Sequence, residues 1–454
     1  MQKEELVANK KSPRLIKYSG QILSYPALLL AGLFCFNFAY ITNPWFNPTV
    51  PAIIIIYALW FVITIGSKPS CWKLLFRTTW PLLLWLAQVV VRAIIEQSLD
   101  GDNLNHAIFI AMAVFISFWY LNYGRSHEIK FLLILMILAL FLGSIVSIIY
   151  SIKVPGIMRL TANSSLPKHL KEKGIATFGF VYSLVYIIPT VTALIYDLFR
   201  QRPLLATKNL PKNLKVKCVA SIIIWIICLI LWSTVLVLAN FVMAYLFILI
   251  FGGTMFVLLG KRPWRRLSAL LIVIAALWWP VAQLFALLAK HAKNFFLYVR
   301  FYELSELMQG RISIHHTQSA ILARYQRFGE IWRLWLDSPF IGSMGIKKDL
   351  FFHQDFQWLS GLVNYGLFDL LLLWFLFQQW RRFVSAQIQS NFSKHMLTAI
   401  FSVVLVHGFL NRLFANDLLS VLIIFLPLLL KEFPLCIQSS PRPVPEESIT
   451  AGSI

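Results

Sequence analysis

Residues 131–152 read FLLILMILALFLGSIVSIIYSI. No charged side chain interrupts the run, and as a helix it is about 33 Å long, enough to cross the ~30 Å hydrocarbon core of a bilayer. Runs of the same kind recur on both sides of it, at about 21–39, 50–65, 79–95, 106–123, 175–198, 218–238, 241–259, 268–288, 357–378, 396–413 and 417–431. Composition points the same way. Of 454 residues, 59% are hydrophobic and 13% charged, and the mean hydropathy is +0.72, so the chain holds more apolar side chain than a soluble core of this length buries. The surplus belongs against lipid. The alternation of a β-barrel is absent, and a helix is the spanning form that satisfies every backbone amide internally. The sequence therefore predicts an all-α polytopic membrane protein of about 12 transmembrane helices.

Basic residues set the expected orientation. Lys3, Lys10, Lys11, Arg14 and Lys17, the stretch Arg200 to Lys217, the cluster Lys261, Arg262, Arg265 and Arg266, and the pair Arg381 and Arg382 all fall on one side of the alternating spans. By the positive-inside rule that side is cytoplasmic. The acidic connection Glu96 to Asp102 falls on the other. Both termini are then cytoplasmic. Four regions result: an N-terminal bundle of about nine spans over 1–289, a large outward loop over 290–356, further spans over 357–431, and a tail over 432–454 whose Pro, Ser and Glu content predicts disorder. The first apolar run is too long for a signal peptide and no small-residue cleavage site follows it, so it reads as a retained anchor. None of Cys35, Cys71, Cys218, Cys228 and Cys436 falls in an outward loop, so no structural disulfide and no cysteine-based metal site is expected.

The formal net charge of +22 exceeds what cytoplasmic loops explain. An outward loop at about 153–174 carries Lys153, Arg159, Lys168, Lys171 and Lys173 against Glu172 alone, and 290–356 adds nine Lys and Arg partly offset by six acidic residues. Two explanations stand: an anionic ligand at the outer membrane surface, or a solvated basic face. Within the larger loop, residues 319–338 (SAILARYQRFGEIWRLWLDS) place Ile321, Tyr325, Phe328, Trp332 and Trp335 at helical spacing, and Asp337-Ser338-Pro339 stops the pattern. This predicts an amphipathic helix suited to the membrane surface. Arg324, Arg327 and Glu330 sit at three-residue steps on its other side, where Arg327 is placed to pair with Glu330.

The order Arg324-Tyr325-x-x-Phe328-x-x-Ile331-Trp332, then Ser338-Pro339-Phe340-Ile341-Gly342-Ser343-Met344-Gly345, then His353-Gln354-Asp355-Phe356, then Asn364-Tyr365-Gly366-Leu367 inside a span resembles the O-antigen ligase and Wzy-type O-antigen polymerase superfamily. The specific likeness covers about residues 311–370. In that family a loop helix leads into a Pro-x-x-Gly-x-Gly turn, a histidine motif and a span with Tyr-Gly or Gly-x-x-Gly. Four departures stand out. Gly342 and Gly345 are one residue further apart, 238–243 lacks the family's arginine, the gap from His353 to Gly366 is slightly longer, and Asp369 replaces a small residue.

The resemblance implies an enzyme of the bacterial inner membrane that takes a glycan from undecaprenyl diphosphate on the periplasmic face and attaches it to a saccharide hydroxyl. Its donor and acceptor are lipid-linked, membrane lipids surround it, and neither nucleic acid nor a cofactor takes part. The departing diphosphate concentrates negative charge, which the fixed two-pronged donors of arginine stabilise. Arg311, Arg324 and Arg327 are the candidates, with Arg412 near the outward end of a late span as a further positive charge. The acceptor hydroxyl is a poor nucleophile and benefits from a base that titrates near neutrality, for which His353 is the candidate. Asp355 either orients that histidine or hydrogen-bonds the start of the next helix. No nucleotide-binding glycine loop or metal-ligand spacing occurs, and the adjacent His315-His316 point apart in either regular structure. Ligation to lipid A-core, polymerisation onto a second lipid-linked repeat, and a transporter of the same span number are the three readings of the whole.

Overall fold

The computed structural model describes residues 62, 71–95, 102–124, 126–154, 158, 178–200, 212–239, 241–292, 295–310, 320–340, 342, 357–411 and 416–432. Among these there is no strand. The helices are α1 (Cys71–Ile95), α2 (Asp102–Asn122), α3 (Ser126–Lys153), α4 (Phe178–Arg200), α5 (Lys212–Ala239), α6 (Val242–Leu258), α7 (Pro263–His291), α8 (Phe295–Met308), α9 (Ala320–Asp337), α10 (Gln357–Gln387) and α11 (Asn391–Leu410). The last, α12 (Asn416–Ser420), continues through a π-helical turn, Val421–Phe425, into α13 (Leu426–Glu432).

Ten of the apolar runs coincide with helices; the run at 21–39, and that at 50–65 except for Val62, lie outside the described residues. Stretches in α3, α4, α5, α7 and α11 are long and apolar enough to cross a membrane, and α1, α2 and α6 carry shorter apolar stretches. The chain is thus a helical protein with several membrane-competent helices. Helix α8 falls in the region that the apolar runs left as loop.

The core is centred on the C-terminal segment. Every residue from Leu418 to Leu430 is buried, packed among α2, α3 and α4. Helix α7 is the opposite case, with Leu271, Ile272 and Trp279 exposed and Ala282 and Ala289 its buried residues. An exposed apolar face of that extent belongs in lipid. Three serine and threonine hydroxyls inside the bundle are satisfied within their own helices: Ser144 donates to the Leu140 carbonyl, Ser183 to Gly179 and Thr190 to Tyr186, each at 2.7 Å.

The helix ends meet in two groups that follow the alternation of the chain. At one end Gln387 Nε2 donates to Asn122 Oδ1 (3.2 Å), Ser126 Oγ to Glu432 Oε2 (2.8 Å) and Lys431 Nζ to the Leu121 carbonyl (2.7 Å). At the other end the α5–α6 turn, the start of α4 and the end of α11 come together through Phe241, Tyr182 and Asn411. The start of α10 joins α11 there, where Trp358 Nε1 donates to the Leu405 carbonyl at 2.9 Å.

Candidate functional site

Helix α9 forms because its apolar residues recur at helical spacing and no β-branched run opposes it. It ends where the sequence predicts, at Asp337, before Ser338-Pro339. Its packed face is Ile331, Leu334 and Trp335, set against Leu359, Leu362 and Val363 of α10. Of the expected stripe, Trp335 lies on this packed face, while Phe328 (45%) and Trp332 (46%) are exposed and with Leu336 make a second apolar face away from α10. Periodicity identifies apolar positions but not which of two adjoining faces meets protein.

The turn after α9 docks on a break in α10. Gly366 has φ 76 and ψ 179, a conformation open essentially to glycine alone, and it interrupts the helix. The amides of Leu367 and Phe368 are thereby released from their own helix. They donate instead to the carbonyls of Pro339 (2.9 Å) and Phe340 (3.4 Å). The Pro339 carbonyl also accepts from Trp335 Nε1 at 3.1 Å, and the turn closes with the Gly342 amide on the Ser338 carbonyl at 2.9 Å. Gly342 is buried with φ 79, a left-handed position that explains its glycine. The Ser338-Pro339-Phe340 and Tyr365-Gly366-Leu367 pieces of the sequence pattern are thus one assembly, joined backbone to backbone.

Arg324 and Arg327 fall on α9, two turns and one turn before the packed Ile331 respectively; their side chains are outside the described part of the structure. Arg311, His353, Asp355 and Arg412 lie outside the described residues altogether. Among the described residues no group of three or more His, Cys, Asp or Glu has the closeness of a metal site.

Close to the start of α10 lies a polar cluster that the sequence reading did not single out. His407 on α11 and Asn411, which caps that helix four residues later, face Tyr186 and Tyr182, four apart on α4. His407 Nδ1 and the Tyr186 hydroxyl are 2.8 Å apart, and Asn411 Nδ2 donates to the Tyr182 hydroxyl at 2.8 Å. Phe247 and Tyr182 enclose the imidazole, with ring centroids 4.5 and 4.7 Å away. His407 is fully buried, and its Nε2 has no hydrogen-bond partner among the described residues. The detectable signal was a His and an Asn on one face of an otherwise apolar span, since polar side chains there need partners on a neighbouring helix. Gly408 lies against the Trp358 indole with no room for a Cβ, so the cluster fixes the end of α11 against both α4 and α10.

An open groove of about 560 Å³ between α4 and α5, lined by Ile188, Thr192, Leu229, Thr234 and Val237, offers mainly apolar surface. Ser233 also lines it, and of its hydroxyls those of Thr192 and Thr234 are bonded back to their own helices. It suits an acyl chain better than a sugar. Comparison with known proteins finds no family model, no curated protein and no solved structure that matches the chain.

Proposed function

We propose that this chain is a membrane glycosyltransferase that moves a glycan from undecaprenyl diphosphate to an acceptor sugar, with ligation of O-antigen to lipid A-core as the leading form. The supporting observation is the docking of the Pro339 turn onto the Gly366 break. Two motif pieces more than twenty residues apart are held by the amides of Leu367 and Phe368, and the sequence places His353 between them. A rigid support of this kind is what a loop-borne site needs.

In this reading the chain has about 12 spans in the bacterial inner membrane, with both termini cytoplasmic and the site periplasmic. Lys261, Arg262, Arg381 and Arg382 then lie at the cytoplasmic end, together with the Asn122, Gln387 and Glu432 contacts. Gly366 stands 15 residues above Arg381, about 22 Å along the helix, which puts the break in the outer part of the bilayer. Transporters instead place broken helices near the mid-plane.

The reaction is the one that the resemblance implies, and the residue types suit it. The acceptor hydroxyl oxygen attacks the anomeric carbon while its proton passes to His353, and the bond from that carbon to the diphosphate oxygen breaks. The diphosphate leaves on its polyprenyl carrier. Arg311, Arg324, Arg327 and Arg412 supply the positive charge that receives it, and Asp355 supports the site by bonding the start of α10 or by orienting the histidine. Polymerisation by the same chemistry is the second reading, favoured by the extra basic loop at 153–174.

A deletion strain distinguishes them. Long polymer retained on the carrier, with bare lipid A-core, is the expected result for a ligase. Single repeats attached to core indicate the polymerase, and unchanged lipopolysaccharide and carrier-linked glycans would overturn both.

A further inference from the structure

Helix α8 runs antiparallel beside α7 in constant register. Phe285 stacks on Phe301 with centroids 6.0 Å apart, and Trp278 Nε1 donates to the Met308 carbonyl at 2.7 Å. The two contacts are seven residues apart on each helix, so α8 retraces α7 step for step. Starting beyond His291, it descends to the level of Trp278.

That level is deep if α7 crosses a membrane. The stretch Leu267 to Ala289 carries no charge and is about 33 Å long, close to the ~30 Å hydrocarbon thickness. Trp278 is its central residue. Setting the upper half of α7 outside the lipid instead would leave only Leu267 to Trp279, about 18 Å, which is too short to cross. We propose that α8 is a re-entrant helix, entering the leaflet at the His291 end of α7 and stopping near the bilayer mid-plane at Met308, with acyl chains covering its face away from α7.

Three features make such an end tolerable. Backbone carbonyls at the end of a helix in lipid need donors, and Trp278 Nε1 supplies one to Met308. Gln309 satisfies Ser305 twice, amide to carbonyl at 3.0 Å and Nε2 to Oγ at 2.9 Å. Gly310, with φ 69, then turns the chain in the left-handed conformation that ends helices. The buried residues of α7, Ala282 and Ala289, are small and seven apart, which permits close approach of a neighbouring helix. Glu303 and Ser305 are buried, while Tyr298 is exposed on the same helix. The inference rests on α7 crossing the membrane and is independent of the transferase reading.

The test places a nitroxide at Tyr298→Cys, Glu306→Cys or Gln309→Cys in the full chain, its native cysteines replaced, reconstituted in phosphatidylcholine vesicles. Collision with oxygen and with a water-soluble nickel complex is then compared. Access by oxygen and not nickel, with depth increasing from 298 to 309, is expected; access by nickel at 306 and 309, or by neither reagent, overturns the proposal. Should the cysteine-free background not insert, the same three variants are made in the native chain. They are treated with impermeant maleimide in freeze–thawed membranes, and the label is located by peptide mass spectrometry. Residues 306 and 309 should then react at least tenfold more slowly than Lys261→Cys, and reaction at equal rates overturns the proposal. Trp278→Phe should raise the label at 309 toward the interface and leave 298 unchanged.

Discussion

Replacing Gly366 by alanine should release α9 from α10. At φ 76 and ψ 179 a Cβ is strained, and holding a non-glycine residue there costs about 1–3 kcal/mol. The alternative is that α10 straightens, so that the amides of Leu367 and Phe368 return to their own helix. The carbonyls of Pro339 and Phe340 then lose these donors, at about 0.5–1.5 kcal/mol each. Either route weakens the dock by about 1–3 kcal/mol, roughly a 5- to 150-fold shift toward the undocked state. Hydrogen exchange in nanodiscs reads this directly, as a loss of protection over residues 328–337. Gly361→Ala is the control: Gly361 is helical, with open space where its Cβ would stand, so alanine should be neutral or stabilise by up to about 1 kcal/mol. Unchanged exchange in Gly366→Ala, or the same response from both variants, refutes the reasoning.

Tyr186→Phe leaves the buried His407 Nδ1 without its 2.8 Å partner, and His407→Leu does the same to the Tyr186 hydroxyl. Thermal unfolding in detergent should show each single change destabilising by about 1–3 kcal/mol, and the double change by less than the sum. Gly408→Val drives a side chain into the Trp358 indole and breaks its bond to the Leu405 carbonyl, so it should destabilise by about 1–3 kcal/mol in the same assay. Because arginines rather than a metal receive the leaving diphosphate in the proposed reaction, turnover of purified protein should survive a strong chelator; loss with rescue by a divalent ion would sink that mechanism.

Hydropathy located the helices well because the bilayer imposes both length and internal hydrogen bonding. The runs at 131–152 and 268–288 became α3 and α7 with only a few residues added at each end. Depth within the bundle was not legible. Helix α7 and the segment 418–430 are both strongly apolar, yet one faces outward and the other is enclosed, because lipid and protein interiors are equally apolar and packing decides between them. Helix α8 escaped for a related reason, since Arg300, Glu303 and Glu306 interrupt its hydropathy, and burial of Glu303 and Ser305 emerges only once α7 lies beside it. The helix stop at Ser338-Pro339 was readable from proline's missing amide. Its pairing with the Gly366 break was not, because carbonyl partners leave no mark in sequence. The two pairs His407 with Asn411 and Tyr182 with Tyr186 carried an i, i+4 signal, but four isolated polar residues do not reveal that they face one another.

The most direct test of the transferase reading is glycan transfer in proteoliposomes, with radiolabelled glycan on undecaprenyl diphosphate and lipid A-core as acceptor. The wild-type chain should pass the label to the acceptor and release undecaprenyl diphosphate, and His353→Ala should lower turnover by about 10²- to 10⁴-fold with donor binding nearly intact. Label that stays on the carrier with every saccharide acceptor supplied, or a His353→Ala protein that transfers at the wild-type rate, would contradict the account.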